Sequence, residues 1–291
     1  MSKNIHLMII DPQGSFANPA GELFVPGADH DMVRLGTMID RLRKKISDIT
    51  VTLDSHRYVD VAHPSMHISS EGKHPDPFTI ITASDYDNGI WKCFNPRWQA
   101  RINDYVHQLE ATGRYPLCIW PEHTLIAATK KIEAKDKNGN QVIVDGKPFM
   151  IDFCGHAVVE SVSAALLKWE QENFGIVNYI SKGSNILVEH YSILKSEIVD
   201  PSDSSTSINT DLIEVLQNAD EIIIGGEALS HCIANSIRDI CNNFGSENIR
   251  KIILLTDCTS NVPNFESLGE NFIKEMTAKG MRVTTSTDYL A

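Results

Sequence analysis

The stretch EIIIGGEALSHCIANSIRDICNNF, residues 221–244, contains a strand, a turn and a helix in succession. Glu221–Ile224 is an apolar run without polar alternation, which is typical of a strand buried on both faces of a sheet. Gly225 and Gly226 end this run, and Leu229–Phe244 has apolar residues at helical spacing. The stretch therefore predicts one strand–helix unit of a parallel sheet.

The same order of strand and helix recurs along the chain. Further strands are predicted at His6–Ile10, Ile49–Leu53, Leu117–Trp120, Ile176–Ile180, Lys251–Leu255 and Met281–Thr284. Further helices are predicted at Asp31–Lys45, Pro96–Thr112, Ala157–Asn173 and Phe265–Lys279. This alternation predicts an α/β fold, a three-layer αβα arrangement around a doubly wound, mostly parallel sheet. We expect residues 1–291 to form a single domain.

Two stretches interrupt the alternation. Tyr58–Asn95 is rich in His, Pro, Ser and Asp and predicts a long ordered loop of the kind that usually serves function. Lys130–Ile151 contains Asn138-Gly139 and Asp145-Gly146, which are typical hairpin turns. We interpret it as an insertion at the rim of the sheet or at a subunit contact.

Composition excludes several classes of protein. The 291 residues include 26 Lys and Arg against 38 Asp and Glu, for a net charge of −12, which argues against binding to nucleic acid or anionic membranes. No apolar run approaches the roughly 20 residues of a membrane span, and no signal-peptide core precedes Asp11. We expect a cytoplasmic protein. Its six cysteines are scattered without a C-x-x-C pair, which predicts free thiols.

Chemically active side chains follow most of the predicted strands. They are Asp11, Asp54 with His56, His123, Lys182 and Cys232. Because ligands of open α/β sheets bind beyond the carboxyl ends of the strands, we expect these side chains to meet at one rim.

Asp54, His56 and His123 form a candidate metal site. A carboxylate with two imidazoles suits a zinc, iron or manganese ion, and three protein ligands leave positions open for a substrate. His63, in the long loop, is a candidate additional ligand.

Cys232 lies near the start of a predicted helix, where the free N–H groups stabilise a thiolate or hold an oxyanion. Its spacing fits a buried small residue equally well. Lys182 near it would favour the thiolate, and a central carboxylate such as Asp11 is costly to bury without a partner or a role.

Five segments together resemble the isochorismatase-like cysteine hydrolases, and among them the nicotinamidases of the pyrazinamidase/nicotinamidase type. In chain order they are Ile9–Phe16 (IIDPQGSF), Thr52–His56 (TLDSH), Trp120–His123 (WPEH), Ser181–Gly183 with Tyr191-Ser192, and Gly226–Ile233 (GEALSHCI). The chain departs from the usual family residues at Ser15, Thr124 and Glu227.

The resemblance implies a role for each catalytic candidate. Cys232 would be the nucleophile, Asp11 would take its proton and later protonate the departing ammonia, and Lys182 would stabilise the charged pair. Backbone N–H groups of Ala228 and Cys232 would form the oxyanion hole, next to a cis peptide at Glu227–Ala228.

The resemblance also implies a ligand set and a substrate. Asp54, His56 and His123 would hold one divalent metal ion, Zn²⁺ first, with Fe²⁺ and Mn²⁺ as alternatives. Phe16 and Trp120 would flank the ring of nicotinamide. The implied reaction is hydrolysis of nicotinamide to nicotinate and ammonia through a thioester acyl-enzyme, in nicotinamide adenine dinucleotide salvage.

Two alternatives stay open at this point. One is an amidohydrolase of the same family acting on a ureido or carbamoyl compound, and the other is a catalytically silent homologue that binds metal or serves as a scaffold. Homo-oligomers are common in this family, and the 130–151 insertion could serve such a contact.

Overall fold

The computed structural model describes residues 3–136 and 139–291. In chain order the strands are β1 (Ile5–Ile10), β2 (Asp48–Asp54), β3 (His67–Ser69), β4 (Ile80–Ile81), β5 (Trp91–Cys93), β6 (Leu117–Cys118), β7 (Lys130–Glu133), β8 (Ile143–Val144), β9 (Lys147–Pro148), β10 (Met150–Phe153), β11 (Asn178–Lys182), β12 (Glu221–Gly226), β13 (Ile252–Leu255) and β14 (Arg282–Thr284). The α-helices are α1 (Gly14–Ala17), α2 (Ala28–Leu42), α3 (Ala83–Asp87), α4 (Gln99–Ala111), α5 (Glu160–Asn173), α6 (Thr210–Gln217), α7 (Ala234–Phe244) and α8 (Glu266–Ala278).

A parallel sheet forms the centre of the fold, with strand order β11-β2-β1-β12-β13-β14 within the described residues. Strands β1, β12 and β13 are buried along their whole length, as expected of strands covered on both faces. The chain moves from β1 to β2 in one direction and from β12 to β13 in the other. Because such crossovers are right-handed, their helices cover opposite faces, and the predicted three-layer αβα fold is confirmed.

Helix α2 shows how the sequence selects this packing. Its buried apolar residues include Met32, Leu35, Ile39 and Leu42, which recur every three or four positions and form one face. They belong to the main hydrophobic cluster together with strand β1. Helix α6 has the same kind of apolar face but was not predicted, because it is only eight residues long.

The region before α4 differs from the prediction. Tyr58–Asn95 is not an irregular loop, since it contains α3, β3, β4 and β5. Its apolar side chains Met66, Ile81 and Tyr86 join α4 in a second hydrophobic cluster, the side cluster. This side cluster gives the region a core of its own and therefore regular structure.

The placement of Leu117–Trp120 in the main sheet was wrong. Only Leu117–Cys118 forms a strand, and it pairs antiparallel with β4. Leu117 and Ile119 are buried in the side cluster, which explains the choice of partner.

The insertion consists of two antiparallel pairs, β7 with β10 and β8 with β9. Asp145 and Gly146 have positive φ angles of 50° and 73°, which confirms the predicted turn there. Asn138 of the predicted Asn138-Gly139 turn lies outside the described residues. The role of the insertion at a subunit contact stays a prediction. In the described part of the chain, no helix combines the length and the apolar character that crossing a membrane requires.

Candidate active site

Four predicted side chains meet at the carboxyl edge of the main sheet. Asp11 follows β1, Asp54 and Lys182 end the paired strands β2 and β11, and Cys232 follows β12 after a short turn. All four are buried, with at most 8% of Cys232 exposed. The prediction of a common rim is therefore confirmed for these residues.

Lys182 is the centre of this group. Its Nζ lies 2.8 Å from Asp54 Oδ1, 3.0 Å from Asp11 Oδ2 and 3.5 Å from Cys232 Sγ. Burial opposes the charge of the ammonium, but Asp11 and Asp54 together raise the pKa of Lys182 well above its usual value. The buried carboxylates thus have a permanent cation between them.

Asp11 and Cys232 both contact Lys182. Burial raises the pKa of Asp11, with Lys182 opposing the shift, and the Thr52 hydroxyl donates to Asp11 Oδ1. Burial also raises the pKa of the Cys232 thiol well above its usual value, with Lys182 opposing the shift and Asp11 adding to it. Burial thus favours the neutral thiol of Cys232, whereas the start of a helix favours a thiolate.

The backbone around Cys232 is shaped by a wide turn. Ile233 N–H donates to Ala228 O across Leu229–Ile233, at 3.2 Å, and helix α7 follows from Ala234. The Glu227–Ala228 peptide is cis, as the family resemblance implied. Among the described residues, no acceptor takes the N–H of Ala228, so this group is available to a ligand.

The metal candidates also meet. Asp54 Oδ2 lies 3.1 Å from His56 Nε2 and 3.3 Å from His123 Nε2. One ligand atom from each of the three buried residues fits within 4.8 Å of the others. Asp60 Oδ2 holds His56 Nδ1 at 3.0 Å, which turns His56 Nε2 toward Asp54.

The charges of this cluster suit a cation. Burial opposes protonation of His56, but Asp54 and Asp60 raise the pKa of its imidazole well above the usual value. The donor set of one carboxylate and two imidazoles is the kind that holds Zn²⁺ in catalytic sites. The three residues therefore fit a divalent metal ion.

His123 reaches the cluster by a route that the sequence did not indicate. Its segment is held by hydrogen bonds from Trp120 N to Ala62 O (2.7 Å) and from His56 N to Thr124 O (3.3 Å). His63 lies beside the cluster, with Nε2 3.4 Å from His123 Nδ1. Burial and the neighbouring His123 lower the pKa of His63 to about 2, so it is neutral there.

Gly183 lies against Asp54 and His56 of the candidate metal site. It has a φ of +77°, and a Cβ built there would lie 2.8 Å from Asp54 Oδ1 and 3.2 Å from His56 Nε2. Only glycine combines this backbone conformation with so close an approach.

A pocket opens onto Cys232, Ala228, Asp54 and His123. Its other lining residues are Phe16, Leu23, Trp120, Glu189, His190, Tyr191, His231 and Val262. The predicted substrate contacts, Phe16 and Trp120, are thus both present. Sequence reasoning missed Glu189 and His190 as pocket residues, although they directly precede the Tyr191-Ser192 motif.

Comparison with known proteins gives a likeness in structure. No protein-family profile and no curated protein sequence matches the chain. A yeast nicotinamidase bound to the inhibitor nicotinaldehyde superposes with a TM-score of 0.61 at 15% identity, over 97% of this chain and 99% of that one.

Two further solved structures match over similar lengths. An Acinetobacter baumanii nicotinamidase/pyrazinamidase gives a TM-score of 0.58 at 17% identity, over 99% of this chain and 98% of that one. A Pyrococcus horikoshii pyrazinamidase in complex with zinc gives 0.51 at 15% identity, over 97% and 99%. The chain has the fold of these nicotinamidases and pyrazinamidases.

Proposed function

We propose that this chain is a nicotinamidase, a metal-dependent amide hydrolase that converts nicotinamide to nicotinate and ammonia. The observation that carries the proposal is the position of Lys182 Nζ, 3.5 Å from Cys232 Sγ and 3.0 Å from Asp11 Oδ2, beside three buried residues that could hold a metal ion. The fold shared with solved nicotinamidases supports it.

The chemistry begins at Cys232. Its sulfur attacks the carboxamide carbon while the thiol proton passes to Asp11, which contacts the same Lys182 Nζ as Cys232 does. The N–H groups of Ala228 and Cys232 hold the oxygen that becomes negative in the tetrahedral intermediate. Asp11 then returns the proton to the nitrogen, the C–N bond breaks, and ammonia leaves a thioester on Cys232.

The second half of the reaction regenerates the thiol. A water molecule attacks the thioester carbon and Asp11 accepts one of its protons; as the C–S bond breaks, Asp11 passes this proton to the sulfur, which restores the Cys232 thiol, and the released acid loses its remaining proton to solvent to give nicotinate. Lys182 keeps its charge throughout and balances whichever of Asp11 and Cys232 is negative.

Substrate positioning falls to the pocket. Asp54, His56 and His123 would hold the divalent ion, for which we propose Zn²⁺; when bound, it supplies a Lewis-acid contact for the pyridine nitrogen. Phe16 and Trp120 line the pocket and would flank the flat ring. We further propose that the enzyme serves nicotinamide adenine dinucleotide salvage in the cytoplasm, with nicotinamide as its small-molecule partner.

The test is ammonia release from nicotinamide by the purified, zinc-loaded protein. We expect turnover in the wild type and in Cys241→Ala, which removes a thiol of helix α7, and only assay background in Cys232→Ala. Removal of the nucleophile of a serine protease lowers kcat by a factor on the order of 10⁶. If the wild type is silent while Cys232 is alkylated by iodoacetamide ahead of the other thiols, nicotinamide is the wrong substrate. Ureido and carbamoyl amides would then be assayed.

A further inference from the structure

Glu227 is a buried acid behind the proposed nucleophile loop. It is 0% exposed, follows directly on Gly226, and its N–H donates to Ile10 O at 2.8 Å. Its side chain does not line the pocket but extends to the segment after β13. An acid in such a position is costly unless its polar atoms are engaged.

Ser260 binds the loop on both sides of Ala228. The Ser260 N–H donates to Glu227 Oε2 at 3.1 Å, and the Ser260 carbonyl accepts from Leu229 N–H at 2.8 Å. These two bonds bracket the Glu227–Ala228 peptide, whose N–H is the one available to a ligand. The side chain of Glu227 thus helps to fix the direction of that N–H.

Asp31 of helix α2 completes the network. Its Oδ2 accepts from Ser260 Oγ at 2.6 Å, and its Oδ1 is paired with Arg34. Glu227 Oε1 receives no hydrogen bond from any described residue. If Glu227 is a carboxylic acid, this oxygen would carry the proton and donate it in a hydrogen bond to Asp31. If Glu227 is a carboxylate, the same oxygen would be buried without a hydrogen-bond donor.

Electrostatics favour the neutral acid. Burial raises the pKa of Glu227 well above its usual value, and the charge of Asp31 raises it further, while Arg34 opposes the shift. A second negative charge at Glu227 would face Asp31 directly. The neutral form avoids this repulsion.

We propose that Glu227 is a positioning residue: its buried carboxyl group accepts from Ser260, which also binds Leu229 and Asp31, and in this way it fixes the orientation of the Ala228 N–H beside Cys232. This inference rests on the proposed function, because the direction of that N–H affects the rate only if a tetrahedral intermediate forms on Cys232. It also gives a reason for an acid where the related family usually has a small apolar residue.

The test compares variants of the full-length, zinc-loaded protein in nicotinamide hydrolysis. Glu227→Gln accepts from Ser260 and donates to Asp31 without a titratable proton, so kcat should stay within about threefold of the wild type. Glu227→Met removes both bonds at similar volume and should lower kcat with KM unchanged. We expect a loss of roughly 10- to 100-fold, less than the ~10²–10³-fold that follows removal of an oxyanion donor.

Two further variants control for stability. Leu216→Ala, at a fully buried position of α6, weakens packing without touching the loop and should keep its kcat. Glu227→Asp keeps the carboxyl but is one methylene too short to reach both partners. It should also lower kcat, and it provides the comparison if Glu227→Met does not fold.

A second readout does not require turnover. Pyridine-3-carbaldehyde should add to Cys232, forming a C–S bond while the thiol proton ends on the former carbonyl oxygen, as a hemithioacetal. Glu227→Met should weaken this adduct by about the factor it loses in kcat, and Glu227→Gln should not.

The outcomes separate the two proposals. The inference is overturned if Glu227→Met and Glu227→Asp keep wild-type kcat and aldehyde affinity, or if Glu227→Gln is as impaired as Glu227→Met. If the wild type binds the aldehyde but leaves nicotinamide intact, the substrate is wrong, and the aldehyde series still decides the role of Glu227. If the wild type does neither, the proposed function fails and the inference fails with it.

Discussion

Asp54 is shared between Lys182 and the histidine pair: its Oδ1 lies 2.8 Å from Lys182 Nζ, and its Oδ2 lies 3.1 Å from His56 Nε2. Burial opposes ionisation of Asp54, but His56 and Lys182 hold its pKa well below the usual value. One ionised carboxylate therefore links the group proposed to break the amide bond with the group proposed to hold the metal.

Removal of the metal should affect recognition of the ring more than reactivity of the thiol. After treatment with a chelator, we expect KM for nicotinamide to rise at least about tenfold, because ligand sets of this kind position substrate. Benzamide lacks the ring nitrogen, so its kcat/KM should change little. An equal loss of kcat/KM for nicotinamide and benzamide, measured by ammonia release, would contradict a contact between the metal and the ring nitrogen.

Lys182→Met should destabilise the fold strongly. The substitution leaves Asp11 and Asp54 buried without their cation, and breaking a buried ion pair costs about 3–5 kcal/mol. The matched control is Lys168→Met, whose partner Asp40 lies 3.0 Å away at the surface, where a pair is worth ~0–1 kcal/mol. Urea unfolding of the metal-free proteins measures the loss of unfolding free energy in each variant. Similar losses in the two variants would show that the fold does not depend on the buried ion pairs of Lys182.

Gly183→Ala should weaken metal binding. The new Cβ would press on Asp54 Oδ1 and His56 Nε2. Gly72→Ala is the control, because Gly72 has nearly the same φ, +79°, with no atom within 4 Å of its Cβ position. Both variants carry the same kind of backbone strain, roughly 1–2 kcal/mol. Zinc titration should therefore find reduced affinity for Gly183→Ala alone.

His6 should make the fold less stable in acid. Burial lowers the pKa of His6 to about 4, although Asp48 opposes the shift, and Thr50 Oγ1 lies 3.0 Å from its Nε2. The unfolded chain takes up this proton below about pH 6.5. The contribution of neutral His6 to the free energy of unfolding is thus complete above pH 6.5 and is lost as the pH falls toward 4.

Comparison with His6→Gln isolates this contribution. Between pH 7.5 and 5 the wild type should lose about 2 kcal/mol more of its unfolding free energy than the variant. His30→Gln, at a surface position, should follow the wild type. Parallel pH curves for wild type and His6→Gln would refute the prediction.

The sequence carried most of the information on the sheet and the catalytic group. The strands that deliver Asp11 and Asp54 are short, mostly apolar runs that stop at those residues, and Lys182 follows the run Ile176–Ile180 by two residues, so the local pattern marks the position of each candidate. The path of His123 is different, because the run Leu117–Trp120 does not reveal which strand it pairs with. That choice depends on side-cluster residues such as Ile81, which lie far away along the chain.

Glu227 illustrates a second limit. In the sequence it is an acid in a family motif, and nothing near it indicates whether it faces solvent, substrate or core. Its partners Ser260 and Asp31 come from other elements, so only the folded chain shows that its carboxyl is buried and engaged.

The side cluster has a consequence for how such a protein can change over evolutionary time. It anchors Val61 and Ile119, which flank the segments bearing His63 and His123, whereas Asp11 and Cys232 depend on the sheet. Repacking the side cluster could therefore shift the segments that bear His63 and His123 without moving Asp11 or Cys232. Phe16 and Trp120, proposed to flank the ring, belong to the main cluster with Cys232, so a lineage could vary the His63 and His123 side of the pocket on its own and keep the rest.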